Sequence, residues 1–292
     1  DIALRAMCDP GDEVLIPQPS YVSYVPCTML AGGKPVVIEL EEKDNFKLTP
    51  EKLLAKITDK TKILVMPFPN NPTGAIMTKE DLAPIVDIII EKDLFVISDE
   101  IYSELTYGTD HVTIAAFPGM KDRTILINGF SKAYAMTGWR IGFIAGPEWI
   151  VKASNKLQGQ YTSGPCSVSQ KAAEAAYTGT QAPVEEMRKA FERRRDLIVK
   201  LAKEVPGFEV NVPEGAFYLF PKCSSFFGKS AGDRKIENSD DLAMYLLEVA
   251  HVACVGGTSF GAPECIRMSY ATSDENIVEA ISRIKEALSK LV

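Results

Sequence analysis

The sequence predicts an α/β fold in which a mostly parallel sheet is sandwiched by helices, followed by a small α+β domain. Up to about Gly146, short apolar runs rich in β-branched residues alternate with helical stretches. Continuous apolar runs are typical of parallel strands that are covered on both faces. After Gly146 the predicted strands become short and the helices long. We therefore predict a large α/β domain over residues 1–180 and a small C-terminal α+β domain over residues 181–292.

The large domain contains six predicted strands, each with a run of apolar residues. Their sequences are EVLIP, KPVVIEL, KILVMPF, LFVISDE, RTILING and RIGFIAG. Helical patterns lie between several of them, at Thr49–Ile57 and Thr78–Lys92. Thr78, with Asp81 three residues later, is typical of a helix N-terminus. This alternation predicts parallel strands whose carboxyl ends meet at one edge of the sheet.

The second half is predicted to be mainly helical. Helical patterns cover Glu148–Gln160, Ser167–Tyr177, Val184–Glu204, Ser239–Ala250 and Asp274–Leu291. Short strands are predicted at AFYLF, HVACV and CIRMSY. The helix that begins at Val184 carries three consecutive arginines, which we interpret as a solvated face because the chain is acidic overall.

Composition excludes several classes of function. The net charge of −7 argues against binding nucleic acid over a broad surface, and no apolar run is long enough to span a membrane. Six scattered cysteines without a CxxC pair are typical of reduced thiols, so we expect a cytoplasmic protein. The two histidines, His111 and His251, are too few for a typical metal cluster or for Ser-His-Asp chemistry. The chemistry must therefore use Lys, Asp, Tyr and Arg, or a cofactor.

Four motifs lie next to predicted strands in the large domain. They are NNPTG (70–74), SDEIY (98–102), NGFSK (128–132) and MTGWR (136–140). In an open parallel sheet, ligands bind in the crevice outside the carboxyl ends of the strands. We therefore expect these motifs, although distant in sequence, to converge on one cleft.

The residue types in these motifs suit the binding of a charged, flat cofactor. Asp99 directly follows an apolar strand, so its carboxylate needs a cationic partner or a protonated ring nitrogen. Lys132 follows another strand, and a desolvated lysine has a lowered pKa and acts as a nucleophile. Arg140 suits a phosphate group, and Tyr21, predicted to open a helix, suits stacking on a ring. Each residue alone has a commoner structural role, but the ordered set favours a shared site.

The strings PNNPTG, SDEIY, NGFSKAYAMTGWRIGF and IRMSYATSDEN resemble the class I aminotransferases, which depend on pyridoxal 5′-phosphate (PLP). The likeness is strongest to the aspartate aminotransferase group and extends over residues 1–292. It implies the fold type I PLP-transferase fold. It also implies amino transfer between an L-amino acid and a 2-oxo acid by a ping-pong reaction, in a homodimer whose boundary lies near Tyr161–Pro165.

The resemblance implies catalytic roles for three residues. Lys132 carries PLP as a Schiff base and then moves a proton during the reaction. Asp99 pairs with the pyridinium nitrogen of the cofactor. Tyr102, together with Asn71, hydrogen-bonds the 3-oxygen of the cofactor ring, and Asn71 also lies on the substrate side.

The resemblance implies further binding residues and one departure from the family pattern. Arg140 binds the cofactor phosphate, Tyr21 stacks on the ring, and Arg267 binds the α-carboxylate of the substrate. The family often has a serine or threonine three residues before the lysine as a phosphate contact. This chain has Gly129 there, so Ser131 or a backbone group is expected to take that contact.

The sequence opens with DIALRAM, which is typical of the end of a helix. Members of the family have an additional N-terminal segment that holds an arm, a tyrosine lent to the partner subunit and a turn that cradles the phosphate at a helix N-terminus. We therefore expect the chain to be a fragment that lacks this segment. Without it, weak PLP retention and a damaged active site are expected.

Two other functions remain open at this point. One is a PLP-dependent C–S β-lyase on the same fold, which would use Lys132, Asp99 and Arg267 as well. The other is a non-catalytic PLP-binding regulator domain, because a fold alone does not determine function. The identity of the amino-acid substrate does not follow from the sequence.

Overall fold

The computed structural model describes residues 1–292, and the first half of the chain forms a six-stranded sheet. Its strands are β1 (Glu13–Gln18), β2 (Lys34–Glu39), β3 (Thr61–Met66), β4 (Phe95–Asp99), β5 (Thr124–Gly129) and β6 (Gly142–Ala145). The strand order is β2-β1-β3-β4-β5-β6. All neighbours pair in parallel except β5 and β6, which are antiparallel. The predicted α/β class with a mostly parallel sheet is confirmed.

Nine α-helices accompany the sheets. They are α1 (Ile2–Met7), α2 (Tyr24–Leu30), α3 (Pro50–Leu54), α4 (Lys79–Glu91), α5 (Glu148–Tyr161), α6 (Ser167–Thr178), α7 (Ala182–Ala202), α8 (Ser239–Tyr245) and α9 (Asp274–Leu288). The predicted start of α4 is confirmed, because the side chain of Thr78 accepts from the Asp81 N–H while Asp81 accepts from the Thr78 N–H. None of these helices is both long and apolar enough to cross a membrane.

The prediction that Tyr21 opens a helix is wrong. Helix α2 begins only at Tyr24. The preceding residues form a turn in which the Ser20 N–H donates to the C=O of Phe260, 3.1 Å away in the C-terminal half. This hydrogen bond joins the turn to the C-terminal half, and Tyr21 lies in the turn rather than in the helix.

The C-terminal half contains short antiparallel strands. They are β7 (Tyr218–Leu219), β8 (Ser230–Ala231), β9 (Arg234–Lys235), β10 (Val255–Gly256) and β11 (Ile266–Ser269). The order β10-β11-β7 forms one sheet, and β8 pairs with β9. The strand predicted at HVACV begins only at Val255. After α8, a π-helical turn extends the helix to Ala250, and His251 ends it with a φ of 54°. The residues between His251 and Val255 therefore connect the helix to the strand.

Apolar side chains cover both faces of the large sheet. Leu15, Leu64 and Val96 pack in one cluster with helix α4, whereas Val14 and Ile63 pack in another with α1 and α5. Neighbouring residues of one strand thus enter opposite clusters, as the two-residue period of a strand requires. Each such buried side chain contributes roughly 1.5–3 kcal/mol to folding. Burial on both faces leaves the carboxyl edge of the sheet as the accessible side.

A third apolar cluster joins the end of β4 to the C-terminal half. Tyr102, Leu105 and Tyr107 pack in it together with residues of α7 and α9. The segment that follows β4 therefore contributes to the core of the second half. The division near residue 180 stays a prediction, but this packing brings Tyr102 to the junction of the two halves.

Candidate functional site

A cavity of about 470 Å³ lies at the carboxyl edge of the large sheet, beside the C-terminal half. Its size is within the usual range for a small-molecule site, roughly 300–1,000 Å³. All the site residues predicted from the sequence line this cavity: Tyr21, Asn71, Asp99, Tyr102, Ser131, Lys132, Arg140 and Arg267. The predicted convergence of the motifs is therefore observed, whereas the individual roles stay predictions.

Asp99 is the last residue of β4, and its carboxylate is hydrogen-bonded at both oxygens. Tyr24 Oη donates to Oδ2 at 2.8 Å, and the backbone N–H of Ile101 donates to Oδ1 at 3.2 Å. Burial raises the pKa of Asp99 above its ordinary value, although these two hydrogen bonds and the nearby Lys132 oppose the shift. Asp99 forms no ion pair. A protonated group in the cavity would therefore stabilise its ionised form.

Lys132 follows β5 in a turn, and its amine lies among aromatic rings. Nζ is 5.7 Å from the ring centroid of Tyr102 and 5.5 Å from that of Phe217. Burial lowers the pKa of Lys132, and the positive charges of Arg267 and Arg140 lower it further. A lowered pKa increases the neutral fraction of the amine, which is the nucleophilic form.

Arg267, on β11, connects the C-terminal half to the NNPTG turn. Its Nη1 donates to Asn71 Oδ1 at 2.8 Å. Its guanidinium carbon lies 4.5 Å from the ring centroid of Tyr218 and 4.8 Å from that of Phe260. Because Asn71 uses its amide oxygen here, its amide NH₂ group remains available as a donor. A guanidinium held by two aromatic rings and an amide oxygen is suited to binding a carboxylate through two hydrogen bonds.

Arg140 is the last residue of the MTGWR motif, and its side chain is exposed. It has a φ of 50°, and its Nη1 donates to the C=O of Thr137 at 2.9 Å. The hydroxyl residues Ser131 and Thr137 line the cavity together with Arg140. A guanidinium with neighbouring hydroxyl groups is suited to binding a phosphate.

Close packing of the backbone explains why position 129 is a glycine. Gly129 pairs with Gly142 where β5 and β6 meet. A Cβ at Gly129 would lie 3.1 Å from Gly142 Cα and 3.2 Å from the C=O oxygen of Ile141. Because both neighbours are backbone atoms, a serine does not fit at this position without a shift of β6.

Sequence reasoning missed three polar residues of the cavity: Tyr24, Thr137 and Tyr218. A signal existed for Tyr24, because it follows Tyr21 by three residues in PSYVSY. Thr137 lies inside the MTGWR motif, three residues before Arg140. Tyr218 lies in the strand predicted at AFYLF, and its sequence carries no signal for a site.

Replacing Tyr24 by phenylalanine is expected to destabilise the ligand-free protein by about 1.5–3 kcal/mol at a pH above the pKa of Asp99, because the ionised carboxylate then loses a hydrogen bond. The cost is expected to shrink as the pH falls through the pKa of Asp99, since a neutral carboxyl accepts a weaker hydrogen bond. Urea unfolding at pH 7 and in mild acid measures both values.

The matched control is Tyr245→Phe, which removes the hydroxyl of a buried tyrosine whose partner is the neutral C=O of Ala287 at 2.8 Å. Its cost is expected to be the same at both pH values. A Tyr24→Phe cost that is equally insensitive to pH would contradict the charged state assigned to Asp99.

Comparison with known proteins finds relatives that are named as aminotransferases. The model of the family described as aminotransferase class I and II matches residues 1–284. A Bacillus subtilis (strain 168) aspartate aminotransferase is 46% identical over 288 residues, which cover 98% of this chain and 72% of that protein. A Petunia hybrida bifunctional aspartate aminotransferase and glutamate/aspartate-prephenate aminotransferase is 46% identical over 98% of this chain, which spans only 61% of that protein's length.

Solved structures agree with the sequence relatives. The crystal structure of the aspartate aminotransferase from Rhizobium meliloti superposes with a TM-score of 0.95 at 42% identity, over 100% of this chain and 74% of that chain. The aromatic aminotransferase from Pyrococcus horikoshii OT3 superposes with a TM-score of 0.92 at 42% identity, over 99% of this chain and 76% of that chain.

Proposed function

Because this chain belongs to the class I and II aminotransferase family, we propose that it transfers an amino group between an L-amino acid and a 2-oxo acid with PLP as its cofactor. The observation that carries the proposal is the convergence of Lys132, Asp99 and Arg267 on one cavity. These are an amine with a lowered pKa, an acid without a cationic partner and a carboxylate-binding guanidinium. Since several relatives are named aspartate aminotransferases, L-aspartate is the first amino acid to test.

The residues present fit PLP. The cofactor is a flat ring with a basic nitrogen, a phenolic oxygen, an aldehyde and a phosphate, and the cavity offers one complementary group for each. The strongest support is Asp99, whose carboxylate is desolvated and unpaired, so a protonated ring nitrogen would satisfy it. Lys132 suits the aldehyde, and Arg140 with Ser131 suits the phosphate.

The remaining contacts complete this binding scheme. Asn71 and Tyr102 would hydrogen-bond the ring 3-oxygen, and Tyr21, whose side chain is exposed at the cavity, would cover a face of the ring. Bound PLP supplies an electron sink for the bonds at the substrate's α-carbon.

The chain's own residues bind the substrate and move its proton. Arg267 would hold the α-carboxylate and so orient the α-carbon toward Lys132. Lys132, once its amine is free, would take the proton from the α-carbon, because a lowered pKa increases the neutral fraction of the amine. The rings of Tyr102 and Phe217 would keep water away from the amine during this transfer.

The proposal also includes a homodimer, a cytoplasmic location and the domain division near residue 180. Their support is the family resemblance together with the composition. Sedimentation velocity at micromolar concentration is expected to give a dimer. A monomer alone would contradict that part of the proposal.

Addition of PLP to the purified protein is expected to produce a new visible absorption band. Borohydride reduction followed by peptide mapping is then expected to find the pyridoxyl group on Lys132. Because weak PLP retention is expected, PLP is added in large excess. Label scattered over surface lysines, or no band even under that excess, would contradict the proposal. Turnover that depends on a 2-oxo acid identifies amino transfer, whereas pyruvate released from a cysteine conjugate without a 2-oxo acid identifies a β-lyase.

A further inference from the structure

We propose that Tyr218 is a positioning residue that couples Arg267, on the substrate side of the cavity, to Tyr102, on its cofactor side. The inference rests on the proposed function, in which Arg267 binds the α-carboxylate and Tyr102 the ring 3-oxygen. Tyr218 is buried, lines the cavity and contacts both residues. Its hydroxyl group faces Tyr102, whereas its ring faces Arg267.

The direction of the hydrogen bond between Tyr218 and Tyr102 follows from the number of protons that the two hydroxyl groups can donate. Tyr218 Oη and Tyr102 Oη are 3.0 Å apart, and each hydroxyl has a single proton to donate. If Tyr102 donates its proton into the cavity, then Tyr218 must be the donor between the two. Hydrogen bonds in such a chain strengthen each other, so donation from Tyr218 makes Tyr102 a better donor. The Tyr218 hydroxyl therefore orients and polarises Tyr102.

The ring contact acts on the arginine. The guanidinium of Arg267 lies between the rings of Tyr218 and Phe260, with centroid distances of 4.5 and 4.8 Å. These two cation–π contacts, together with the hydrogen bond to Asn71, restrict the position of the guanidinium. Binding a carboxylate through two hydrogen bonds depends on that position.

The backbone holds Tyr218 rigidly between the two sides. In β7, Tyr218 pairs with Ser269 of β11, the strand that also carries the stacked arginine. Two residues earlier, the Ala216 N–H donates to the C=O of Leu105 at 2.9 Å, in the segment just after Tyr102. The C=O of Ala216 accepts a hydrogen bond from Tyr270 Oη at 3.2 Å. Tyr218 thus lies on a frame that is fixed to both of the elements it couples.

Two substitutions separate the hydroxyl from the ring. Tyr218→Phe keeps the stacked ring and removes the hydroxyl, whereas Tyr218→Leu removes both. Tyr245→Phe is the matched control, because it removes the hydroxyl of another buried tyrosine that does not line the cavity. Each protein is loaded with PLP and titrated by visible absorption against pH. Its affinity for maleate, a dicarboxylate without an amino group to transfer, is then measured.

For Tyr218→Phe, the pH midpoint of the visible absorption is expected to rise, on the order of half a pH unit. A weaker hydrogen bond from Tyr102 leaves the ring 3-oxygen more basic, so the Lys132 nitrogen keeps its proton to a higher pH. The maleate Kd is expected to change less than about twofold, because the cation–π contact remains. In steady-state assays, kcat is expected to fall while KM stays nearly unchanged.

For Tyr218→Leu, the same rise in pH midpoint is expected, together with maleate binding weaker by about tenfold, since one stacking face is lost. Should this variant fail to fold, Tyr218→Met replaces it. An unchanged midpoint in Tyr218→Phe, or an unchanged maleate affinity in Tyr218→Leu, overturns this inference but leaves the proposed function standing. A wild-type protein that gives no band with PLP overturns the proposed function and the inference with it.

Discussion

Replacing Lys132 by alanine is expected to lower kcat for amino transfer by about 10⁴-fold. The variant loses both the amine that holds the cofactor and the group that moves the α-proton. Folding is expected to be unaffected, because Lys132 forms no ion pair and burial disfavours its charged form. Steady-state assays with L-aspartate and 2-oxoglutarate measure the loss, and thermal denaturation of the PLP-free protein tests the fold.

The matched control for this substitution is Lys121→Ala, at an exposed lysine that does not line the cavity. It is expected to keep the wild-type rate and the borohydride label on Lys132. In Lys132→Ala, the label is expected to disappear. A variant that still turned over at more than about a hundredth of the wild-type rate would show that another base moves the proton.

Replacing Asp99 by asparagine is expected to lower kcat by about 10²–10³-fold. The change preserves the shape of the side chain, but it removes the negative charge that would keep a proton on the cofactor ring nitrogen. Without that proton, PLP withdraws electrons less strongly from the substrate. The measurement is kcat together with the absorption spectrum of the PLP-loaded protein, and Asp122→Asn, at an exposed aspartate, is the control.

The same substitution is expected to stabilise the PLP-free protein at pH 7. The pKa of Asp99 is raised above the ordinary value of 3.8, so its favourable contribution to folding is complete below about that pH. That contribution is lost as the pH rises through the pKa of the folded state. Asparagine is neutral throughout and escapes the loss. Urea unfolding against pH should therefore show an advantage for Asp99→Asn at neutral pH that vanishes in acid, and a variant less stable at pH 7 would refute this account.

Much of the site was predictable because parallel strands align their carboxyl ends. Asn71, Asp99 and Lys132 lie at or just after the ends of three different strands of the large sheet, so the alternation of strands and helices is enough to bring them together. Arg267 is different. It comes from the other half of the chain, and only the family resemblance linked it to the cavity.

The features that escaped prediction depend on contacts between distant segments. Tyr218 meets Tyr102 across 116 residues of sequence, in a strand only two residues long. Periodicity carries no information about which short strands pair. Likewise, the turn before α2 is joined to the C-terminal half by a hydrogen bond from Ser20 to Phe260, which no local pattern encodes.

The close contact of β5 and β6 restricts how this site can change over evolution. A side chain at Gly129 would meet the backbone at Gly142, and a Cβ at Gly142 would lie 2.9 Å from the C=O oxygen of Asn128. A side chain at either position therefore requires the backbone of β5 or β6 to shift, and a serine at position 129 requires such a shift as well. The site gains phosphate contacts more readily by altering the turn that holds Ser131 and Thr137. The pair of glycines therefore favours changes of the phosphate contacts in that turn over changes in the two strands.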